Sequence, residues 1–129
     1  MREMWDRASI RNLLATYFMA LDRRDHAAVL SVFAHDANLS MHGEHVASGV
    51  EEIAKFFSTG AGTGRLGIER KSIVSMYHTM GTHYVDWRNE TASAETYAVA
   101  YVCHRAEGGE FVAVRGIRYL DELRRTSSE

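Results

Sequence analysis

Two histidines, His78 and His83, stand in the stretch SMYHTMGTHY at residues 75–84. Read as a strand with regular alternation, it sends His78, Met80, Thr82, Tyr84 and Asp86 to one face. Tyr77, Thr79, Gly81, His83, Val85 and Trp87 go to the other. One face must meet the core, so one imidazole is drawn into an apolar interior, where it requires a polar partner. The chemistry open to such a group is proton abstraction: imidazole, near 6.5 unperturbed, suits removal of a proton from carbon near neutral pH. A carboxylate beside an imidazole fixes its tautomer and leaves the other ring nitrogen to the substrate. Asp22 is an acid at the end of an apolar-striped segment that precedes this strand in the chain; taken alone, its plain role is to cap a break between helices.

The remaining reactive residues point elsewhere. His83, on the face opposite His78, is expected to be structural or exposed, and His26 and His35 to lie on the surface. His42 and His45 flank Gly43, so one of them can reach a pocket rim, and Asp36 suits a turn bond. Seven histidines raise the question of a metal. No spacing matches a zinc signature, and His42-x-x-His45 across a glycine has no third ligand nearby, so no metal is expected. A serine-nucleophile elbow is absent from the sequence. Cys103, the single cysteine, lies in the apolar run AVAYVC and reads as a buried small hydrophobe.

These residues need elements to hold them. From Trp5 to Leu21, Ile10, Leu13, Leu14, Tyr17, Phe18 and Leu21 form one helical stripe. Asp25 caps a second short helix presenting Val29, Leu30, Val32 and Phe33. A short polar hairpin follows, turning at His42-Gly43. Ser48 and Glu51 have capping-box spacing ahead of a third helix over 49–57. STGAGTGRLG at 58–67 has four glycines in ten residues without a phosphate-loop pattern and reads as a connection or lid. Beyond it the period becomes two, giving strands over 71–87, 91–105 and 111–125, joined at RNE and EGG as a meander. Helices first and a long antiparallel sheet after make an α+β domain, a cone with an open mouth.

The 129 residues, 46% hydrophobic and 25% charged, suffice for one domain with a single core. A formal net charge of −2 gathers no polyanion, so no nucleic acid is expected as a partner. No apolar run approaches the roughly 20 residues of a membrane span, and the charged start MREMWDR differs from a secretory signal. The expected setting is cytoplasmic, with no membrane partner.

In this order and spacing, IRNLLATYFMALDRRDHAAVLSVFAHDANL, YHTMGTHYVDW with ETASAETYAVAYV, and RGIRYLDELRR resemble the SnoaL-like branch of the nuclear-transport-factor-2-like superfamily over nearly the whole chain. The resemblance implies a cone-shaped fold and, as in the dehydratases and dehydrochlorinase of that branch, a strand histidine acting as base and oriented by an aspartate at the end of the first helix. Asp22 and His78 match those positions. His104 falls near a second pocket histidine, and Arg124 and Arg125 near a pocket arginine. Thr82 stands where the family carries a hydrogen-bonding asparagine. Members also continue past DELRR into a last strand; the expectation here is either a shortened version or a sheet without that strand, whose loss opens an edge that a partner subunit can cover. Oligomers are usual in the family, so the resemblance implies a homodimer or homotrimer.

The expectation is therefore a cofactor-independent lyase or isomerase, most simply a dehydratase, acting on a small hydrophobic organic molecule. His78 and Asp22 are its catalytic pair, and Tyr17, Thr82, Tyr84, His104 and Arg115 its substrate-binding residues. The alternatives are a non-catalytic ligand-binding or scaffolding subunit, as in ring-hydroxylating dioxygenases, and a polyketide cyclase or epoxide hydrolase using a carboxylate such as Asp86.

Overall fold

The computed structural model describes residues 1–60 and 67–126. Helix α1 spans Arg2–Arg23, α2 His26–Ser31 and α3 Gly49–Ser58. Strands β1 and β2 are Asn38–Met41 and Glu44–Ser48, and a single 3₁₀ turn at Arg70–Ser72 leads into β3 Ile73–Trp87, β4 Thr91–Ala106 and β5 Gly109–Arg124. β1 and β2 form a separate hairpin, and β3-β4-β5 an antiparallel sheet. Among the described residues β5 pairs only with β4 and forms the sheet edge. No described helix is long and apolar enough to cross a membrane.

α1 buries Leu14, Phe18 and Ala20 of the helix face turned to the sheet, with Leu14 and Phe18 packed on Ala98. β4 lets the helix lie close, because every second residue on its inner face is small or short: Ala92, Ala94, Thr96, Ala98, Ala100 and Val102 are all buried. Further along the sheet, Val85, Ala92 and Ala94 pack with Ile10 and Trp87, and Ile68, Ile73 and Val102 with Met76. The start of α1 is tied down by Asp6, which accepts from Trp87 Nε1 (3.1 Å) and from both terminal nitrogens of Arg125. The Arg125 hydrogen bonds hold the Asp6 carboxyl below its ordinary pKa.

The helix ends were legible, with one exchange of partners. α1 stops at Arg24, which is left-handed (φ 55°), while the Asp25 amide bonds back to Ala20 O at 2.9 Å. Asp25 then caps α2, its Oδ1 accepting from Ala28 N. At α3 the expected box is closed by Glu52 rather than Glu51: Glu52 Oε1 accepts from Ser48 N at 2.9 Å, and the Ser48 hydroxyl meets His45 Nε2 at 2.7 Å. The β1–β2 turn uses His42 and Gly43, both at positive φ, as a two-residue hairpin requires. Of the glycine-rich connection at 58–67, residues 61–66 lie outside the described residues.

β3 departs from regular alternation twice. Val74 is an extra residue between the pairs Ile73↔His104 and Ser75↔Cys103. Between Met80↔Ala98 and His83↔Thr96, β3 spends two residues, Gly81 and Thr82, against the single Tyr97. Each bulge reverses the face on which the following residues fall. The inward set is therefore Ile73, then Met76, His78 and Met80, then His83, Val85 and Trp87. The expectation that the two histidines face opposite ways is corrected, because both point inward.

Candidate functional site

His78 sits in mid-strand opposite Ala100, and Arg115 stands opposite Ala100 on the other side, so the three form one inner-face row across the sheet. Asp22, in the last turn of α1, meets the histidine with both carboxylate oxygens. Oδ1 lies 2.6 Å from His78 Nδ1, and Oδ2 accepts the His78 backbone N–H at 3.1 Å. The two side chains, His78 and Asp22, are only 6% and 20% exposed. A carboxylate accepts and does not donate, so the proton lies on Nδ1 and Nε2 is the ring's basic nitrogen. Phe18 stacks parallel on the ring, 5.5 Å between centroids, fixing its plane. The break between helices is capped by Asp25, which leaves the Asp22 carboxylate to the histidine.

His78 and Arg115 line a cavity of about 200 Å³ between the inner sheet face, α1, α2, α3 and β1. Its walls are mostly apolar, with Leu21, Val29, Leu39, Phe56, Phe57 and Ile117 among them. Tyr17 and Tyr119 add two phenols, edge to face with ring centroids 6.3 Å apart. Burial pushes the Tyr17 hydroxyl well above the ordinary phenol range and Tyr119 up to about 12, so both remain O–H donors. Among the described residues no three His, Cys, Asp or Glu side chains come together as a metal cluster.

Tyr17 and Arg115 thus lie where the sequence suggested, in the wall of the cavity that His78 lines. The other three expected binding residues do not line the cavity. Thr82 is exposed within the second β3 bulge, and Tyr84, two residues past it, is turned to the outer face and 68% exposed. His104 pairs with Ile73 beyond the first bulge and packs against Phe111 instead. Asp86 is also exposed, and is paired with Arg88 at 2.8 Å.

Smaller expectations changed as well. Asp36 forms a two-pronged ion pair with Arg124 rather than only a turn bond. That pair keeps Arg124 away from the cavity, as Asp6 does for Arg125. His26, expected on the surface, lines the cavity rim and accepts from Arg70 Nη2 at 2.7 Å. Neither His42 nor His45 lines the cavity; His42 instead bonds Arg115, which does, the His42 Nε2 lying 2.7 Å from Arg115 Nη2. Cys103 is half-buried rather than buried. His83 Nδ1 bonds Thr96 Oγ1 at 2.9 Å, and burial, helped by Arg11, lowers its pKa; its Nε2 is buried without a partner among the described residues.

Sequence reasoning missed Tyr119, Arg24, Arg70 and His26. Alternation along GIRYLDEL already put Tyr119 on the face of Arg115, so that signal was present. Of the other three, Arg24 and His26 come from the junction of α1 and α2 and Arg70 from the 3₁₀ turn before β3, segments that meet only in the folded structure.

A model of the SnoaL-like domain matches residues 2–129. Among solved structures, a candidate scytalone dehydratase from Novosphingobium aromaticivorans superposes with a TM-score of 0.75 at 13% identity, covering 96% of this chain and 76% of that one. Aln2 from a Streptomyces species gives 0.74 at 22% identity, covering 98% and 84%. The Kfla4162 protein from Kribbella flavida gives 0.80 at 14%, covering 97% and 84%. At such identities the likeness is one of fold. No curated protein matches the sequence. With the family model spanning all but the first residue, the chain belongs to the SnoaL-like domain family.

Proposed function

We propose that the protein is a cofactor-independent lyase or isomerase, and that its reaction is a dehydration of a small, largely hydrophobic organic molecule. The observation that carries this reading is the buried His78–Asp22 pair at the wall of an apolar cavity. Asp22 holds the Nδ1 proton, so Nε2 takes a proton from a carbon next to an electron-withdrawing group. The C–H electron pair becomes the new double bond as the C–O bond breaks. The proton on Nε2 passes to the departing hydroxyl, water leaves, and the histidine returns to its starting state. The phenols of Tyr17 and Tyr119 donate hydrogen bonds to oxygen that gains charge on the way.

A scaffolding role gives the buried carboxylate–imidazole pair no task, and an epoxide-hydrolase or cyclase role based on Asp86 lacks its carboxylate at the cavity. A cytoplasmic setting and a homodimer or homotrimer belong to the same proposal. The outer sheet face supports association, because Tyr77, Tyr101 and Val114 stand side by side there and Tyr77 is 58% and Val114 63% exposed.

The test is a panel of β-hydroxy carbonyl compounds, scored by ultraviolet absorbance of the unsaturated product. On any compound the wild type converts, His78→Ala and Asp22→Asn each lower kcat by at least about 10²-fold with unchanged circular dichroism. Equal rates in all three proteins rule the reading out.

A further inference from the structure

Three arginines line the cavity, Arg24, Arg70 and Arg115, and among the described residues no aspartate or glutamate lines it. Elsewhere on the molecule arginines pair with carboxylates, as Arg88, Arg105, Arg124 and Arg125 do. The cavity arginines are held instead by neutral acceptors. Arg24 Nη2 donates to Ile73 O at 2.9 Å, Arg70 to Ser58 O and His26 Nε2, and Arg115 to His42 Nε2. Because a guanidinium only donates, His26 and His42 present lone pairs to it and carry their protons on Nδ1. Among the described residues these guanidinium groups are thereby oriented without a carboxylate partner.

We infer that the substrate carries an anionic group, a carboxylate on a small apolar body, which these arginines receive while His78 works on the other end. This rests on the reading of the cavity as the substrate site. Arg115 and His78 lie two strands apart in one row, roughly 10 Å from backbone to backbone. Only Ala100 stands between them, so a molecule can lie across the sheet from one to the other. A cavity of about 200 Å³ admits one substituted ring. Arginine receives a carboxylate through paired N–H donors, stronger than neutral hydrogen bonds. The apolar walls then select the body, and the arginines select the charge.

The probes are 3-phenylpropanoate and its neutral isostere 3-phenylpropanamide, titrated calorimetrically into the full chain at low salt and at about 0.5 M salt. Neither has a leaving group, so the result is independent of whether His78 acts as a base, and His78→Ala keeps the preference. The acid binds at least about tenfold tighter than the amide at low salt, a difference of about 1.4 kcal/mol, and high salt reduces that margin. Arg115→Gln brings the two affinities together, whereas Arg115→Lys retains part of the preference. If Arg115→Gln melts early, the Arg24→Gln/Arg70→Gln double variant makes the same comparison at the mouth. Equal affinities, tighter binding of the amide, no binding of either probe at millimolar concentration, or a preference that no arginine variant moves would overturn the inference. Elimination that fails in every protein while the acid preference persists overturns the dehydration reading alone.

Discussion

At the scale of single residues, the central feature is that Asp22 accepts two hydrogen bonds from one residue, the backbone N–H and the ring Nδ1–H of His78. Asparagine has one acceptor and one donor at that place and cannot serve both. If its oxygen keeps the backbone N–H, its NH₂ group must face Nδ1, which drives the proton to Nε2 and ends the ring's use as a base toward the cavity. Asp22→Asn is therefore expected to cost activity through the wrong tautomer, with substrate affinity little changed. Because the two residues act as one unit, combining it with His78→Ala should cost no more than His78→Ala alone; kcat of the double variant checks this. Asp22 and His78 were legible because chain order put an acid at a helix end and a histidine on a strand, and the family resemblance gave each a role. Thr82 and Tyr84 were misplaced because period-two reasoning assumes an unbroken strand.

At the scale of elements, the Gly81–Thr82 bulge decides which residues face the site. It keeps His78 and Met80 inward on one side and His83 and Val85 inward on the other. Gly81 fits there because a Cβ at that position would lie 3.3 Å from the Tyr97 carbonyl oxygen, closer than ordinary contact. Gly81→Val should destabilise the protein by about 1–3 kcal/mol through overpacking, measured by urea denaturation; a wild-type midpoint would mean that the bulge relaxes freely. Helices, strand limits and the hairpin turn followed closely from stripes, caps and glycines. A bulge has no such marker, since Gly81 reads equally well as a weak strand residue. The exchange of Glu51 for Glu52 at the α3 cap has a similar origin, because adjacent glutamates can both reach back toward Ser48.

At the scale of the whole molecule, stability and charge distribution matter most. Asp121 is on the inner face of β5, with Oδ2 buried and lacking a hydrogen-bond partner among the described residues, and burial reinforced by Glu122 raises its pKa to about 6. A carboxyl whose folded pKa exceeds its unfolded value binds its proton more tightly when folded. Stability is thus expected to fall as pH rises from about 4 to about 6 and to level off above, at an order-of-magnitude cost of about 3 kcal/mol. Asp121→Asn should remove most of that slope and raise the melting temperature at pH values above about 7 while changing little near pH 4; parallel thermal melts of both proteins across this range are the check. A net charge of −2 hides a cavity ringed by arginines. Net charge does not reveal this local excess, because Arg24, Arg70 and Arg115 come to line one cavity only when the helices close over the sheet.

The measurement that bears most directly on the catalytic pair is the tautomer of His78, read from long-range proton–nitrogen NMR correlations of the neutral ring in wild type and Asp22→Asn. The proton is expected on Nδ1 in the wild type and on Nε2 in the variant. A wild-type ring protonated on Nε2, or a tautomer indifferent to the substitution, would contradict the role given to Asp22.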